Sequence, residues 1–505
     1  WDIPLDDSDI TVLSSPDADP TRIHPEHIIA GFPLSQSTAG QLAQSGTNYG
    51  YCAQRTEVVD SFSVSGTGPY DITLTVGSSD GFEIGDLVCF WTDVGGERLI
   101  GTVSSKTDTI IVVSSDKNPS AWVGTKKFIS KNLLANPDFE EGFPNHWQQR
   151  WSDNPDSGVY YPTAYEETSV IRKNARAVRI TREAGDTVAY QNVVQMLEGV
   201  PENKSFTLRG WKKSQNGGKC RIVLQALDSA ENLLLSVSPP SIAPESWTMD
   251  ECTCETPSGT AELRVLLVAE GLDTEGEGAC FDSLQLFENK AANPGFEVDS
   301  DNNGLADGWY EYDPNDAITP SINTTNRHSG NAAQQLDIGS DPQGGFIFQT
   351  IHIPSGAVVE VSAWIYNASD ATLTFKLNHN KPDGAEAASF QIEPGKWTRI
   401  STVFRNFEGG GTVFRFVPAD SGTWIIDDVT VRPIYDVPLE IIPDQVDFNV
   451  GGQLKVFDGK STPAEIGRGE TDPDITYIAL QDSGGQTWYI YPDGSGGLVV
   501  TTTKP

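Results

Sequence analysis

Two stretches of this chain repeat each other, and the repeat is the strongest constraint on its fold. One copy opens Asn132-Leu133-Leu134-Ala135-Asn136-Pro137-Asp138-Phe139-Glu140, the other Asn289-Lys290-Ala291-Ala292-Asn293-Pro294-Gly295-Phe296-Glu297. Each then reaches a tryptophan, Trp147 or Trp309. Each has a central tryptophan strand, Arg209-Gly210-Trp211-Lys212 or Ser362-Ala363-Trp364-Ile365. Ser246-Trp247-Thr248 and Lys396-Trp397-Thr398 follow, and Phe281-Asp282-Ser283-Leu284 and Ile426-Asp427-Asp428-Val429 close the copies. Each unit is about 150 residues, the size of one domain.

Alternation of apolar and polar residues inside the units predicts strands. It is clearest in Ala371–Asn378 and looser in Ala261–Val268 and Thr412–Val417. The 505 residues include 48 Gly and 31 Pro but only two Met, a turn-dense composition that suits many short strands. The nearest helical pattern, Thr38–Ala43, is interrupted by Gly40. The expectation is an all-β, multidomain chain. Residues 1–55 read as an extended N-terminal arm that orders against something else. Residues 56–130 read as a small β-barrel-like domain, with strands at Asp71–Val76, Gly85–Trp91 and Thr109–Val113. The repeat units, 131–289 and 290–436, read as two tandem β-sandwiches. Residues 437–505 read as a β-meander, with paired strands at Asp474–Leu480 and Gln486–Tyr491 and a third at Leu498–Thr501.

Charge narrows the partners. Lys plus Arg is 34 and Asp plus Glu is 70, so the net charge is 34 − 70 = −36. Phosphate recognition needs clustered cations, so nucleic acid is not an expected partner. Anionic lipid is disfavoured for the same reason. No stretch approaches the ~18 apolar residues of a membrane helix, so no membrane insertion is expected. The chain starts at Trp1 and shows no basic segment followed by an apolar one; either a leader has been removed or the numbering starts inside the gene product. The six cysteines are too few for a disulfide scaffold. Cys252 and Cys254 share a strand face, and two readings stay open: a bond to Cys220 or Cys280, or buried free thiols.

One loop carries metal chemistry on its own evidence. Asp299-Ser300-Asp301-Asn302-Asn303-Gly304-Leu305-Ala306-Asp307 places oxygen side chains at positions 1, 3, 5 and 9, with Gly304 at position 6. That is the opening of an EF-hand-type loop, without its Glu at position 12 or its helices. Asp299, Asp301, Asn303 and Asp307 are the expected calcium ligands; a solvated acidic turn is the plainer alternative.

The Asn-Pro-x-Phe-Glu opening, the tryptophan and the closing apolar–Asp strand resemble the jelly-roll carbohydrate-binding modules attached to xylanases and cellulases. The resemblance spans about 131–289 and 290–435. It implies a structural calcium held by the Phe-Glu carboxylate and the late-strand aspartate, here Glu140 with Asp282 and Glu297 with Asp427. Calcium favours such hard oxygens; turn capping is the alternative. The family also uses an acidic residue before a mid-chain Gly, where the second unit has His328-Ser329-Gly330 and the first has no evident equivalent. Sugar binding needs exposed aromatic faces beside polar groups. Trp151, Tyr160, Tyr161 and Tyr165 offer them in the first unit, Tyr310 and Tyr312 in the second, with packing over the sandwich as the alternative. The repeat-matched tryptophans read as structural.

No Gly-x-Ser-x-Gly, His-Glu-x-x-His or phosphate-cradling loop appears, and 70 acidic residues make any carboxylate pair uninformative, so no enzyme is expected. His24-Pro25-Glu26-His27 can hold a metal at a symmetry axis, but such clusters are usually structural. The segment Thr471–Gly494 resembles a small β-module that ends bacteriophage tail and neck fibres. Together with the arm, this implies a virion structural protein in a fibre, collar or head-surface appendage. It would contact other virion proteins through the arm and host-surface glycans through the sandwiches, as a homo-oligomer, trimeric in fibres of that kind. The rivals are a secreted polysaccharide-binding accessory of a glycoside hydrolase and an active depolymerase.

Overall fold

The computed structural model describes residues 56–434 except 78, 80–81, 94–97, 123–126, 141, 150–160, 173–174, 340–344, 354–357, 382–383 and 406–409; it also describes 454–457, 463–468, 476–481, 487–492 and 498–501. The expected arm, with the Thr38–Ala43 and His24–His27 segments, lies outside the described residues. The chain divides into two compact units, 53–433 and one formed by 1–52 with 434–505.

The larger unit is all-β. It begins with a closed barrel of β1 (Thr56–Ser65), β2 (Tyr70–Val76), β3 (Leu87–Thr92), β4 (Arg98–Thr107), β5 (Ile110–Ser115) and β6 (Lys127–Ser130), in the order β1-β2-β5-β4-β3-β6. In β2 the alternation works as read: Ile72, Leu74 and Val76 are buried and the residues between them are not. Strand β3 is buried on both faces because Cys89 and Trp91 pack into the core of the neighbouring sandwich. Arg98 fastens the same junction, donating to the Met196 carbonyl at 2.7 and 3.1 Å.

Two tandem jelly-roll sandwiches follow. The first has β7 (Gln148–Gln149), β8 (Thr163–Glu167), β9 (Ala177–Thr181), β10 (Tyr190–Glu198), β11 (Ser205–Gln215), β12 (Lys219–Leu227), β13 (Leu233–Val237), β14 (Thr248–Glu255), β15 (Glu262–Glu270) and β16 (Gly278–Glu288). Its sheets run β13-β12-β15-β10-β7 and β14-β11-β16-β9-β8. The second has β17 (Tyr310–Tyr312), β18 (Ile318–Asn323), β19 (Ala333–Ile338), β20 (Phe346–Ile353), β21 (Val358–Asn367), β22 (Leu373–Lys381), β23 (Gly384–Ile392), β24 (Trp397–Arg405), β25 (Gly410–Pro418) and β26 (Gly422–Ile434). Its sheets run β17-β20-β25-β22-β23 and β18-β19-β26-β21-β24. Adding ten to each strand of the first sandwich gives the second.

The repeated motif is repeated because its polar side chains do backbone work. Asn132 and Asn289 act as extra strand residues: each donates to the last strand, at Leu284 O or Val429 O, and accepts the amide two residues on. Gln195 and Gln349 each pair with both backbone groups of one alanine, Ala135 or Ala292. Asn136 and Asn293 turn through φ of 46° and 43°, a region asparagine tolerates. Their carbonyls accept the Trp147 and Trp309 indole N–H. Trp147, Trp211 and Trp309 are buried; Trp247, Trp364 and Trp397 are half-buried.

The sandwiches pack face to face. Strands β11, β14 and β16 of the first meet β21, β24 and β26 of the second. Thr207 bonds Thr430 at 3.0 Å, and Asp428 accepts from the Thr253 amide and hydroxyl at 2.7 and 2.9 Å. Between them lies a buried charge network. Glu360 accepts from Arg209, from Arg399 at 2.9 Å and from Arg432 at 2.7 Å; Glu251 faces Arg209 and Arg399. Burial alone would raise the Glu360 carboxyl, but Arg209, Arg432 and Arg399 overcome it and hold it well below 4.5.

The five described cysteines are free and buried, so the open question of a disulfide resolves in favour of thiols. Cys252 and Cys254 do share a face, which points into the core. Burial pushes the Cys89, Cys220 and Cys280 thiols up to about 12. Cys52 lies outside the described residues.

In the smaller unit, β27 (Leu454–Phe457), β28 (Pro463–Arg468), β29 (Thr476–Gln481), β30 (Thr487–Pro492) and β31 (Leu498–Thr501) form one antiparallel sheet in chain order. It is the meander the turn pattern predicts.

Candidate functional site

Glu140, Asp282, Glu297 and Asp427 occupy matching places in the two sandwiches. Glu140 accepts the amides of Ala175 and Arg176, both at 2.9 Å. Glu297 accepts those of Asn331 and Ala332. Asp282 takes the Arg172 amide at 2.9 Å; Asp427 takes those of His328 and Ser329 at 2.7 and 3.1 Å. The counterpart of 328–330 in the first sandwich is therefore the segment starting at Arg172, which side-chain chemistry concealed. His328 stacks on Trp364 with 3.9 Å between centroids, and the Arg172 guanidinium lies 3.7 Å over the Trp211 ring. Only Gly fits at 330: φ is +59°, and a Cβ would collide with the Glu297 carboxylate.

The two sites differ in charge. In the second sandwich Asp427 and Asp428 are adjacent and fully buried, beside Glu297. Burial, then the neighbouring Asp428, raise the Asp427 carboxyl well above its usual range. Burial also raises Glu297. In the first sandwich Ser283 replaces Asp428 and a guanidinium replaces the imidazole.

Loop 299–307 gathers its carboxylates. One oxygen each from Asp299, Asp301 and Asp307 lies within 4.8 Å of the other two. The loop is shaped by its own side chains: Asp299 accepts the Gly304 amide at 3.1 Å, Asp301 the Asn303 amide at 3.2 Å, and Asp307 the Ser300 amide at 3.0 Å. Asn303 Oδ1, however, is turned to the Leu305 amide at 2.7 Å. The loop also starts at the motif, because Asn293 donates to the Val298 and Asp307 carbonyls. Hard oxygens at this spacing fit calcium.

The six sequence-predicted aromatics do not converge. Trp151 and Tyr160 lie outside the described residues. Tyr161 is half-buried ahead of β8, and Tyr165 on β8 is half-buried with the Arg179 guanidinium 5.8 Å over its ring. Tyr310 and Tyr312 form the built surface. They lie two apart on edge strand β17, hence on one face, and are 59% and 52% exposed. In register they oppose Phe348 and Phe346 of β20. Tyr310 to Phe348 is 5.6 Å between centroids, Tyr312 to Phe346 5.0 Å and Phe346 to Phe348 5.8 Å. The Arg415 guanidinium of β25 lies 4.8 Å over Phe346. Asn378 of β22 pairs with Arg415 across the ladder, and its buried Oδ1 has no hydrogen-bond partner among the described residues.

Phe346, Phe348, Arg415 and Asn378 escape a reading of the sequence. Their signal is Phe-Ile-Phe: with Ile347 inside, both phenylalanines must face out. In the first sandwich Gln149 and Gln148 of β7 oppose Val193 and Val194, and Val194 opposes Leu266 where Phe348 opposes Arg415. Among the described residues the four-ring ladder belongs to the second sandwich alone.

No protein-family model matches the chain, and no curated protein matches it. Solved structures similar to it include the N-terminal CBM22-1–CBM22-2 tandem domain of Paenibacillus barcinonensis Xyn10C. It is 16% identical, covering 59% of this chain and 96% of that one, with a TM-score of 0.24. TmCBM61 in complex with β-1,4-galactotriose is 18% identical over 32% of this chain and 99% of that one, TM-score 0.23. The enzymatically active domain of bacteriophage CBA120 tailspike protein 4 is 16% identical over 31% of this chain and 21% of that one, TM-score 0.26. At these values the fold is read from the strands themselves.

Proposed function

We propose that this protein is a non-catalytic glycan-binding component of a bacteriophage virion, carrying its glycan site on the second sandwich. The observation that carries the glycan reading is the exposed pair Tyr310 and Tyr312, propped by Phe348 and Phe346. Exposed rings packed on cross-strand neighbours offer an apolar surface to the C–H face of a sugar, with the Arg415 guanidinium beside them.

The virion placement is supported by the C-terminal meander and its likeness in sequence to fibre-ending modules. Immunogold labelling of particles purified from a lysate of the source strain tests it; label on particles is expected, and unlabelled particles would leave the secreted accessory.

The proposal includes structural calcium in the second sandwich. Asp299, Asp301, Asn303 and Asp307 would hold one ion, with Asn303 offering its oxygen after a side-chain turn. Glu297 and Asp427 would hold another, where buried carboxylate outweighs buried cation. In the first sandwich the Arg172 guanidinium already supplies positive charge near Asp282, so the proposal leaves Glu140 and Asp282 as caps of the turn.

A glycan array probed with the full chain tests the binding surface. Signal is expected, and Tyr310→Ala with Tyr312→Ala is expected to remove it for the glycans that the tyrosine surface holds, without moving Tm. An array blank for the parent, or unchanged by the double substitution, would refute the reading.

A further inference from the structure

The second sandwich has another polar groove, on the opposite sheet from the tyrosines. Its volume is about 490 Å³, within the ~300–1,000 Å³ of small-ligand clefts. It occupies the end of the outer face of β18-β19-β26-β21-β24 that is not used against the first sandwich. Ile425 forms part of the lining, and half-buried Tyr366 forms a wall, its ring backed by Trp397 at 5.5 Å.

The polar lining is pre-set rather than loose. Asn323 donates to Gln335 Oε1 at 2.8 Å, and Gln335 donates to Asp337 at 2.8 Å. Thr423 donates to the other oxygen of Asp337 at 2.6 Å. Asn323 Oδ1 in turn caps the turn at Thr325 and Asn326 through their amides. One continuous chain of side-chain bonds thus crosses the floor from β18 through β19 to β26. On the far side Asn367 fixes the Ser369 amide at 2.9 Å, placing the Ser369 hydroxyl and the Asp370 carboxylate at the rim.

We infer that this groove is a second binding site, for a neutral, hydroxyl-rich ring such as a pyranose. Amides and hydroxyls both donate and accept, as sugar hydroxyls do. Tyr366 supplies the apolar wall such a ring stacks on. The lining holds no lysine or arginine, and Asp370 carries negative charge, so an anionic ligand is excluded. The inference does not rest on the tyrosine surface, which lies on the other sheet and uses different residues.

The test is hydrogen–deuterium exchange of the full chain with cellohexaose, maltohexaose and mannohexaose in turn, with tri-galacturonic acid as the anionic comparison. At least one neutral sugar is expected to protect 323–326 and 366–370. Calorimetry with that sugar should show roughly tenfold weaker binding in Tyr366→Ala. Gln335→Leu, a milder change, should weaken it in the same direction. Failure of all three neutral sugars to protect the groove would overturn the inference. So would equal protection by tri-galacturonic acid, or unchanged affinity in both variants. Protection at 310–312 and 346–348 reports on the tyrosine surface separately, so either site can fail without the other.

Discussion

Glu360→Gln is the most informative single substitution. Glu360 is 2% exposed and is shared by three guanidinium groups, those of Arg209, Arg399 and Arg432. The other carboxylate of the network is Glu251. The buried balance is therefore three cations against two anions, and the substitution makes it three against one while keeping the side chain's shape. Breaking a buried ion pair by neutralising one partner costs about 3–5 kcal/mol. At about 2–4 °C per kcal/mol, with one sandwich of about 150 residues as the unfolding unit, the expected fall in Tm is ~6–20 °C. Scanning calorimetry reads it. Glu393→Gln is the control, because Glu393 pairs with Lys396 in solvent and such pairs contribute ~0–1 kcal/mol. The pH dependence has a definite sign. Glu360 has a depressed folded pKa, so its stabilisation is full above the ordinary glutamate value of 4.5 and is lost as pH falls toward the lower folded value. The gap between parent and variant should thus be widest near neutrality and close only on acidification below about 4.5. A Tm shift no larger than the control's, or a gap that widens in acid, would refute the account of the interface.

Three further outcomes are expected. EDTA should lower the Tm of the second sandwich, and calcium at 100 times its dissociation constant should restore about 2.7 kcal/mol; Asp299→Asn with Asp301→Asn should make the chain insensitive to the loop's ion. Gly330→Ala should destabilise by more than the ~1 kcal/mol of a helix-interior Gly–Ala difference, because strain and a clash with Glu297 add together; urea unfolding measures it. Peptide-resolved alkylation at pH 8 should leave Cys89, Cys220 and Cys280 unmodified in the native state and label them after unfolding, since burial holds all three as thiols.

The repeat was legible because Asn132 and Asn289 mimic backbone partners and Asn136 and Asn293 take a positive φ; the matching Gln195 and Gln349 were not read from the sequence. The strands were legible where one face meets solvent, as in β2, and blurred where both faces are buried, as in β3. The tyrosine surface was half visible. Tyr310 and Tyr312 stand out beside acidic neighbours, but Phe346 and Phe348 look like any buried strand until pairing is known. The charge network left no local trace, because Arg209, Glu251, Glu360, Arg399 and Arg432 sit on five strands of two sandwiches. Arg172, Ala175 and Arg176 were missed because they serve the carboxylates with backbone amides, which every residue but proline carries.

Because β11, β14 and β16 press against β21, β24 and β26, the sheet bearing Tyr310 and Tyr312 is the layer furthest from the first sandwich. A hinged tandem would sweep that sheet through a cone of directions and surrender the freedom on capture. Here the orientation is settled during folding, which removes one of the entropic costs of binding. A polymer seated on the tyrosines would therefore fix the attitude of the whole 53–433 body. That body would work as a bracket, holding its own barrel at a set angle to the glycan, and not as a tether.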